Sequence, residues 1–133
     1  MKTLSARPDG KKIIQNARLE RFKNRTQVRR YWVEFTCPEF TCVCPKSGFP
    51  DFATLYIKYV PREWCVELKS LKLYLQQFRN AGIFYEHVTN YILEALTGKL
   101  HPRWMQLKAA FTPRGGIATT VTAEFEIEEG KRN

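Results

Sequence analysis

VELKSLKLYLQQFRNAGIFYEHVTNYILEALTGKLHP, residues 66–102, decides the fold, because its apolar residues recur at helical spacing while the chain on either side alternates as strands do. Leu71, Leu75 and Phe78, with Leu68 just upstream, predict a first helix over residues 69–81, and Gly82 is placed to stop it. Phe84, Val88, Tyr91, Ile92, Ala95 and Leu96 form a broader stripe that predicts a second helix, closed by Gly98 and Pro102. Upstream, Tyr31, Val33, Phe35 and Cys37 alternate with Trp32, Glu34 and Thr36, and residues 52–60 resume the pattern. Between these strands lies a connection of about 14 residues, broken by Pro38, Pro45, Gly48 and Pro50, long enough to suggest that it carries function. Downstream, residues 103–111 and 117–127 read as two more strands. The order ββααββ predicts an α+β fold, a four-stranded antiparallel sheet with two helices on one face. The opposite face is half apolar and needs a partner or a closed barrel, so the sheet edges are expected to pair between subunits.

A chain of 133 residues suits one domain, and 44% hydrophobic content argues against disorder. The net charge of +9 is concentrated: residues 1–30 carry ten cations against Asp9 and Glu20, leaving residues 31–133 nearly neutral. The expected organisation is therefore a basic, partly ordered leader over 1–30 and a single domain over 31–133. The leader is a solvated tail or a docking segment for acidic partners, subunits or RNA. A basic RNA-binding module with structural cysteines is one alternative reading of the whole chain; against it, the charge precedes the fold and the aromatics lack the pattern of a stacking platform. No apolar run has the length of a secretory signal or of a membrane span, and the four cysteines suit a reducing cytoplasm.

The densest chemistry lies in the loop. Cys44 stands directly before Pro45 in irregular backbone, where a thiol can be exposed, with Lys46 and Asp51 close in sequence. Lys46 is a candidate for the cationic neighbour that a thiolate needs, and Asp51, partly desolvated, could deliver a proton as a general acid. Cys37 and Cys65 fit small buried residues better. Cys37, Cys42, Cys44, Cys65, His87 and His101 could instead serve a metal-dependent cyclohydrolase-like enzyme, although their spacing departs from the usual zinc pairs. Lys69, Lys72 and Arg79 give the first helix a cationic face, either solvated or presented to the phosphates of a dinucleotide. No Gly-x-Gly-x-x-Gly follows a strand, so a nicotinamide cofactor would bind outside a Rossmann fold. Glu86 could complement a helix dipole or accept paired N–H bonds from a purine edge, and Arg114 is a turn-tip charge or a phosphate clamp.

The loop Cys-Pro-Lys-Ser-Gly-x-Pro-Asp-Phe-Ala (44–53), the segment Glu-Leu-Lys-Ser-Leu-Lys-Leu-Tyr (67–74) and the turn Thr-Pro-Arg-Gly-Gly (112–116), in this order, resemble the 7-cyano-7-deazaguanine reductases of the queuosine pathway in their short single-module form. The resemblance implies a tunnelling fold, with subunits assembling into barrels, a decamer of two pentamers, and active sites at subunit interfaces. It implies that Cys44 attacks the nitrile of 7-cyano-7-deazaguanine to form a thioimide, that Asp51 supplies the proton, and that two hydrides from NADPH complete the reduction to the aminomethyl product in the cytoplasm. Neither a metal nor a nucleic acid is required. Lys69 and Lys72 then belong to the NADPH signature, joined by Arg79 and Arg114, while Val66, Glu67 and Leu68 lie near the substrate. Glu86 matches the carboxylate that anchors the deazaguanine ring. Many relatives have histidine immediately before that glutamate; here Tyr85 holds the place and His87 follows.

Overall fold

The computed structural model describes residues 17–128. Its elements run β1 (Arg21–Lys23), β2 (Val33–Val43), β3 (Pro50–Val60), β4 (Trp64–Val66), α1 (Leu68–Gln76), a 3-10 turn at Gln77–Asn80, α2 (Tyr85–Leu100), β5 (Trp104–Arg114) and β6 (Ile117–Glu126). Four long strands form one antiparallel sheet in the order β2-β3-β5-β6, as the alternation predicts, while β1 and β4 make a separate two-stranded ribbon.

One face of the sheet forms the floor of the core. Leu55, Ile57 and Tyr59 of β3 and Met105, Leu107 and Ala109 of β5 are almost fully buried there, against Leu71, Phe78, Val88, Ile92, Leu96 and Leu100 from the helical layer. Each such side chain contributes roughly 1.5–3 kcal/mol by leaving water. The other face stays open and carries Trp32, Phe52 and Tyr56.

The boundaries depart from the periodicity in informative ways. β2 does not end at Cys37 but continues through Pro38 to Val43, with its register shifting between Cys37 and Phe40. Proline is tolerated because β2 is an edge strand and the irregularity there needs no ladder donor. The expected long connection therefore shrinks to residues 44–49, closed by Cys44 N–H donating to the Phe49 carbonyl at 2.8 Å. Gly82 does not stop α1, which tightens into the 3-10 turn before the chain becomes extended at Ala81. Val43 N–H donates to Ala81 O at 3.0 Å and Ile83 N–H to Val43 O at 3.1 Å, so residues 81–83 run along the end of β2. Gly98 lies inside α2, which closes instead at His101 in the left-handed region (φ 48°).

Part of the basic segment is fastened to the helices. Glu20 O accepts from Glu67 N–H at 2.9 Å, Glu20 N–H donates to Ser70 Oγ at 2.9 Å, and Arg21 donates to Lys99 O at 2.9 Å with its guanidinium 4.0 Å from the Trp64 ring centre.

Candidate active site

Two devices bring the reactive groups together. The β2–β3 register sets Cys42 opposite Asp51, so Cys44 emerges two residues beyond, at the hairpin turn. The bonds between Val43 and residues 81–83 deliver Ile83, Phe84 and the first residues of α2 to the same end of the sheet. Between them opens a cleft of about 410 Å³ bordered by Cys44, Ser47, Asp51, Tyr85, Glu86 and Arg114, with Phe49, Ile83 and Phe84 as apolar walls. That volume suits a small-molecule ligand.

The two sulfurs of the turn differ in kind. Cys44 is half-buried and its thiol is held below the ordinary range, first by the Ser47 hydroxyl and then by the backbone N–H groups of Ser47 and Lys46. Ser47 N–H stands 3.4 Å from Sγ. Lys46 therefore acts through its backbone, and the stabilisation expected from its ammonium comes from the turn itself. Cys42 is fully buried, and burial, reinforced by Asp51 and Cys44, pushes its thiol up to about 12. The turn therefore favours the thiolate at Cys44, while burial disfavours it at Cys42.

Asp51 is 4% exposed. The Tyr85 hydroxyl donates to its Oδ1 at 3.1 Å, and Arg114 Nη2 lies 3.3 Å from the same oxygen while also donating to Pro50 O at 3.3 Å. The Tyr85 ring is stacked on Phe111 with centroids 3.7 Å apart and planes at 9°. Arg114 ends β5 just before Gly115 and Gly116, whose φ of 60° and 81° make the tight turn into β6.

Of the expected site residues, Cys44, Asp51, Tyr85, Glu86 and Arg114 thus share one cleft. His87 stands one place further along α2, its ring 5.9 Å from that of Phe84. Lys72 and Arg79 line a second groove, about 450 Å³, between β2 and the helical layer, with Leu68, Leu71 and Leu75 along its side. Lys69 is exposed on α1 outside either lining. Val66 is buried and bonds the Tyr59 hydroxyl, and Glu67 caps α1 by accepting from Lys69 N–H at 2.9 Å and Ser70 N–H at 2.7 Å. Sequence reasoning missed Ser47, Phe84 and Phe111. Ser47 was legible as the residue three past the thiol; Phe111 needed the strand register. Among the described residues no three or more of His, Cys, Asp and Glu gather as a metal site, and no helix is long and apolar enough to cross a membrane.

The structure is similar to that of an archaeosine synthase QueF-Like in the apo form, with a TM-score of 0.62 and 20% identity over 71% of this chain and 91% of that one. The class is that of tunnelling-fold proteins. A family model described as QueF-like protein matches residues 50–130. Proteins named NADPH-dependent 7-cyano-7-deazaguanine reductase are similar along most of the chain. That of Chloroherpeton thalassium is 53% identical over 111 residues, covering 84% of this chain and 96% of its own. That of Nitrosococcus oceani is 56% identical over 110 residues, covering 83% and 85%. That of Thermomicrobium roseum is 56% identical over 108 residues, covering 81% and 84%. The chain belongs to this family of NADPH-dependent oxidoreductases, the 7-cyano-7-deazaguanine reductases.

Proposed function

We propose that the protein reduces the nitrile of 7-cyano-7-deazaguanine to an aminomethyl group through a covalent thioimide on Cys44, a step of cytoplasmic queuosine biosynthesis. The observation that carries this reading is a thiol with lowered pKa sharing a purine-sized cleft with a buried carboxyl group. Cys44 Sγ attacks the nitrile carbon. One π pair passes to the nitrogen, which takes a proton from Asp51. Covalent capture divides a difficult reduction into easier parts. Glu86 accepts the paired N–H groups of the deazaguanine, and Phe84 and the Tyr85–Phe111 stack supply apolar surface for the ring.

Two NADPH molecules, bound in turn, would each supply one hydride. The chain offers a fitting cradle: Lys72 and Arg79 border the groove between β2 and α1, and Lys69 extends the same cationic helix, so ammonium and guanidinium donors stand ready for phosphates. Arg114, beside Asp51, meets the cofactor from the Cys44 side. Since this groove and the Cys44 cleft are separate within one chain, we assign the complete site to a subunit interface, where Val66–Leu68 of a neighbouring copy approach the substrate. A decamer of two pentamers, closed through the sheet edges, meets this need.

The test is incubation with 7-cyano-7-deazaguanine without cofactor, followed by intact mass. A gain of one ligand is expected in the unaltered protein and in Cys42→Ala, with none in Cys44→Ala. A gain that survives Cys44→Ala overturns the reading.

A further inference from the structure

The phenol of Tyr85 is fixed from two sides. Its ring lies flat on Phe111, which is buried on β5, and its backbone opens α2 directly after residues 81–83 are bonded to Val43. From that position its hydroxyl donates to Asp51 Oδ1 at 3.1 Å, the oxygen that Arg114 also holds at 3.3 Å. We propose that Tyr85 is a positioning residue for Asp51, gripping Oδ1 together with Arg114 so that Oδ2 is the oxygen that faces the nitrile nitrogen and releases the proton. This deepens the assignment of Cys44 and Asp51 above and rests on it.

The step balances without an oxidant or a reductant. The sulfur–carbon bond forms as one carbon–nitrogen π bond opens, the nitrogen gains the Asp51 proton, and the carboxylate left behind is the form that a hydroxyl donor and a guanidinium favour. The titratable and charged groups facing Asp51 are Tyr85 from α2, Arg114 from β5, Cys42 opposite it on β2 and Cys44 at the turn, with Glu86 bordering the same cleft. Burial first, and the hydrogen bond to Asp51 next, push the Tyr85 hydroxyl up to about 12. It therefore remains a neutral donor through the working range, where an imidazole, with an ordinary pKa of about 6.5, would change its charge.

The chain has two aspartates, Asp9 and Asp51, so aspartate labelled with 13C at the side-chain carboxyl gives two signals, which Asp51→Asn assigns. Tyr85→Phe keeps the ring on Phe111 and removes only the hydroxyl. In that variant the adduct with 7-cyano-7-deazaguanine is expected to form about tenfold more slowly, through a misdirected proton. The Asp51 signal is expected to change its chemical shift at fixed pH, because Oδ1 loses the hydroxyl that donates to it. Tyr85→His is expected to restore part of the rate and to add an inflection near pH 6.5 to its pH profile. An adduct that forms equally fast in Tyr85→Phe, or an Asp51 signal that does not move, reduces Tyr85 to a packing residue and overturns the proposal alone. No adduct in the unaltered protein overturns the assignment of Cys44 and this step together.

Discussion

The difference between the two sulfurs of one turn is a difference of solvation. Cys44 faces a hydroxyl and two backbone donors, and Cys42 faces the core and a carboxylate, so the same functional group titrates in opposite directions two residues apart. At pH 7.5 a small alkylating agent is therefore expected to modify Cys44 and leave Cys42 untouched in the folded protein, which peptide mass mapping reads directly. Ser47→Ala removes the largest stabilising contact, so the Cys44 thiol rises toward its ordinary value. The alkylation profile then moves to higher pH, and the rate at pH 7 falls several-fold because the thiolate is the reacting form. Asp51→Asn keeps the shape of the cleft and deletes the proposed acid; it is expected to slow adduct formation by about 100-fold or more, the scale of general acid catalysis. That Cys44 and Asp51 lie together was legible in the sequence because a thiol before proline and a nearby carboxylate form a compact motif. The thiolate's stabiliser was not. Lys46 offered the obvious charge, but a turn directs backbone N–H groups inward whatever its side chains are, and only coordinates show which ones reach the sulfur.

Among the elements, the first helix combines a structural cap with the groove proposed for the cofactor. Glu67 caps it through Lys69 and Ser70 N–H, and those two donors hold its carboxyl below the usual glutamate range. A depressed carboxyl contributes stability above its unfolded value, about 4.3, and loses it as pH falls through the lower folded value. Glu67→Ala is expected to lower Tm at pH 7, and the gap from the unaltered protein is expected to narrow below pH 4, followed by circular dichroism. On the same helix Lys72, with Arg79 just beyond it, borders the groove assigned to NADPH. Charge removal at either is expected to raise KM for NADPH about tenfold, the scale of a lost charge-assisted contact, while cofactor-free adduct formation is unaffected. Helix periodicity predicted α1 and α2 correctly because apolar stripes report burial. Gly82 and Gly98 look like stops but are not: Ala81 peels away to bond Val43, a tertiary termination, while α2 runs through Gly98 to a left-handed cap at His101, directly before the Pro102 expected to close it. Alternation likewise found β2 but stopped it at Pro38, since no local signal tells an edge-strand proline at an irregular register from a loop proline.

For the whole molecule, the decisive features are those a single chain leaves unfinished. Trp32, Phe52 and Tyr56 are 50%, 50% and 43% exposed on the sheet face turned away from the helices, and β2 and β6 form the two edges of that sheet. Exposed rings on a sheet bounded by strand edges suit the proposed association. The expected Val66–Leu68 contacts lie outside the cleft that holds Cys44, and Lys72 and Arg79 lie in a different groove, so the proposed interface site would bring substrate and cofactor together by closing one copy's cleft with another's α1. On that proposal assembly is required for turnover but not for thiol chemistry. Sedimentation velocity is expected to give a species many times the 15.6 kDa chain. Tyr56→Glu, which sets a charge on the open face, is expected to shift the protein toward smaller species and to lower NADPH oxidation in proportion, while Cys44 in the dissociated chain still alkylates at its lowered pH. A protein that sediments as a single chain at full turnover contradicts the interface assignment, because residues 66–68 and the groove of Lys72 would then have to reach the sulfur from within one fold.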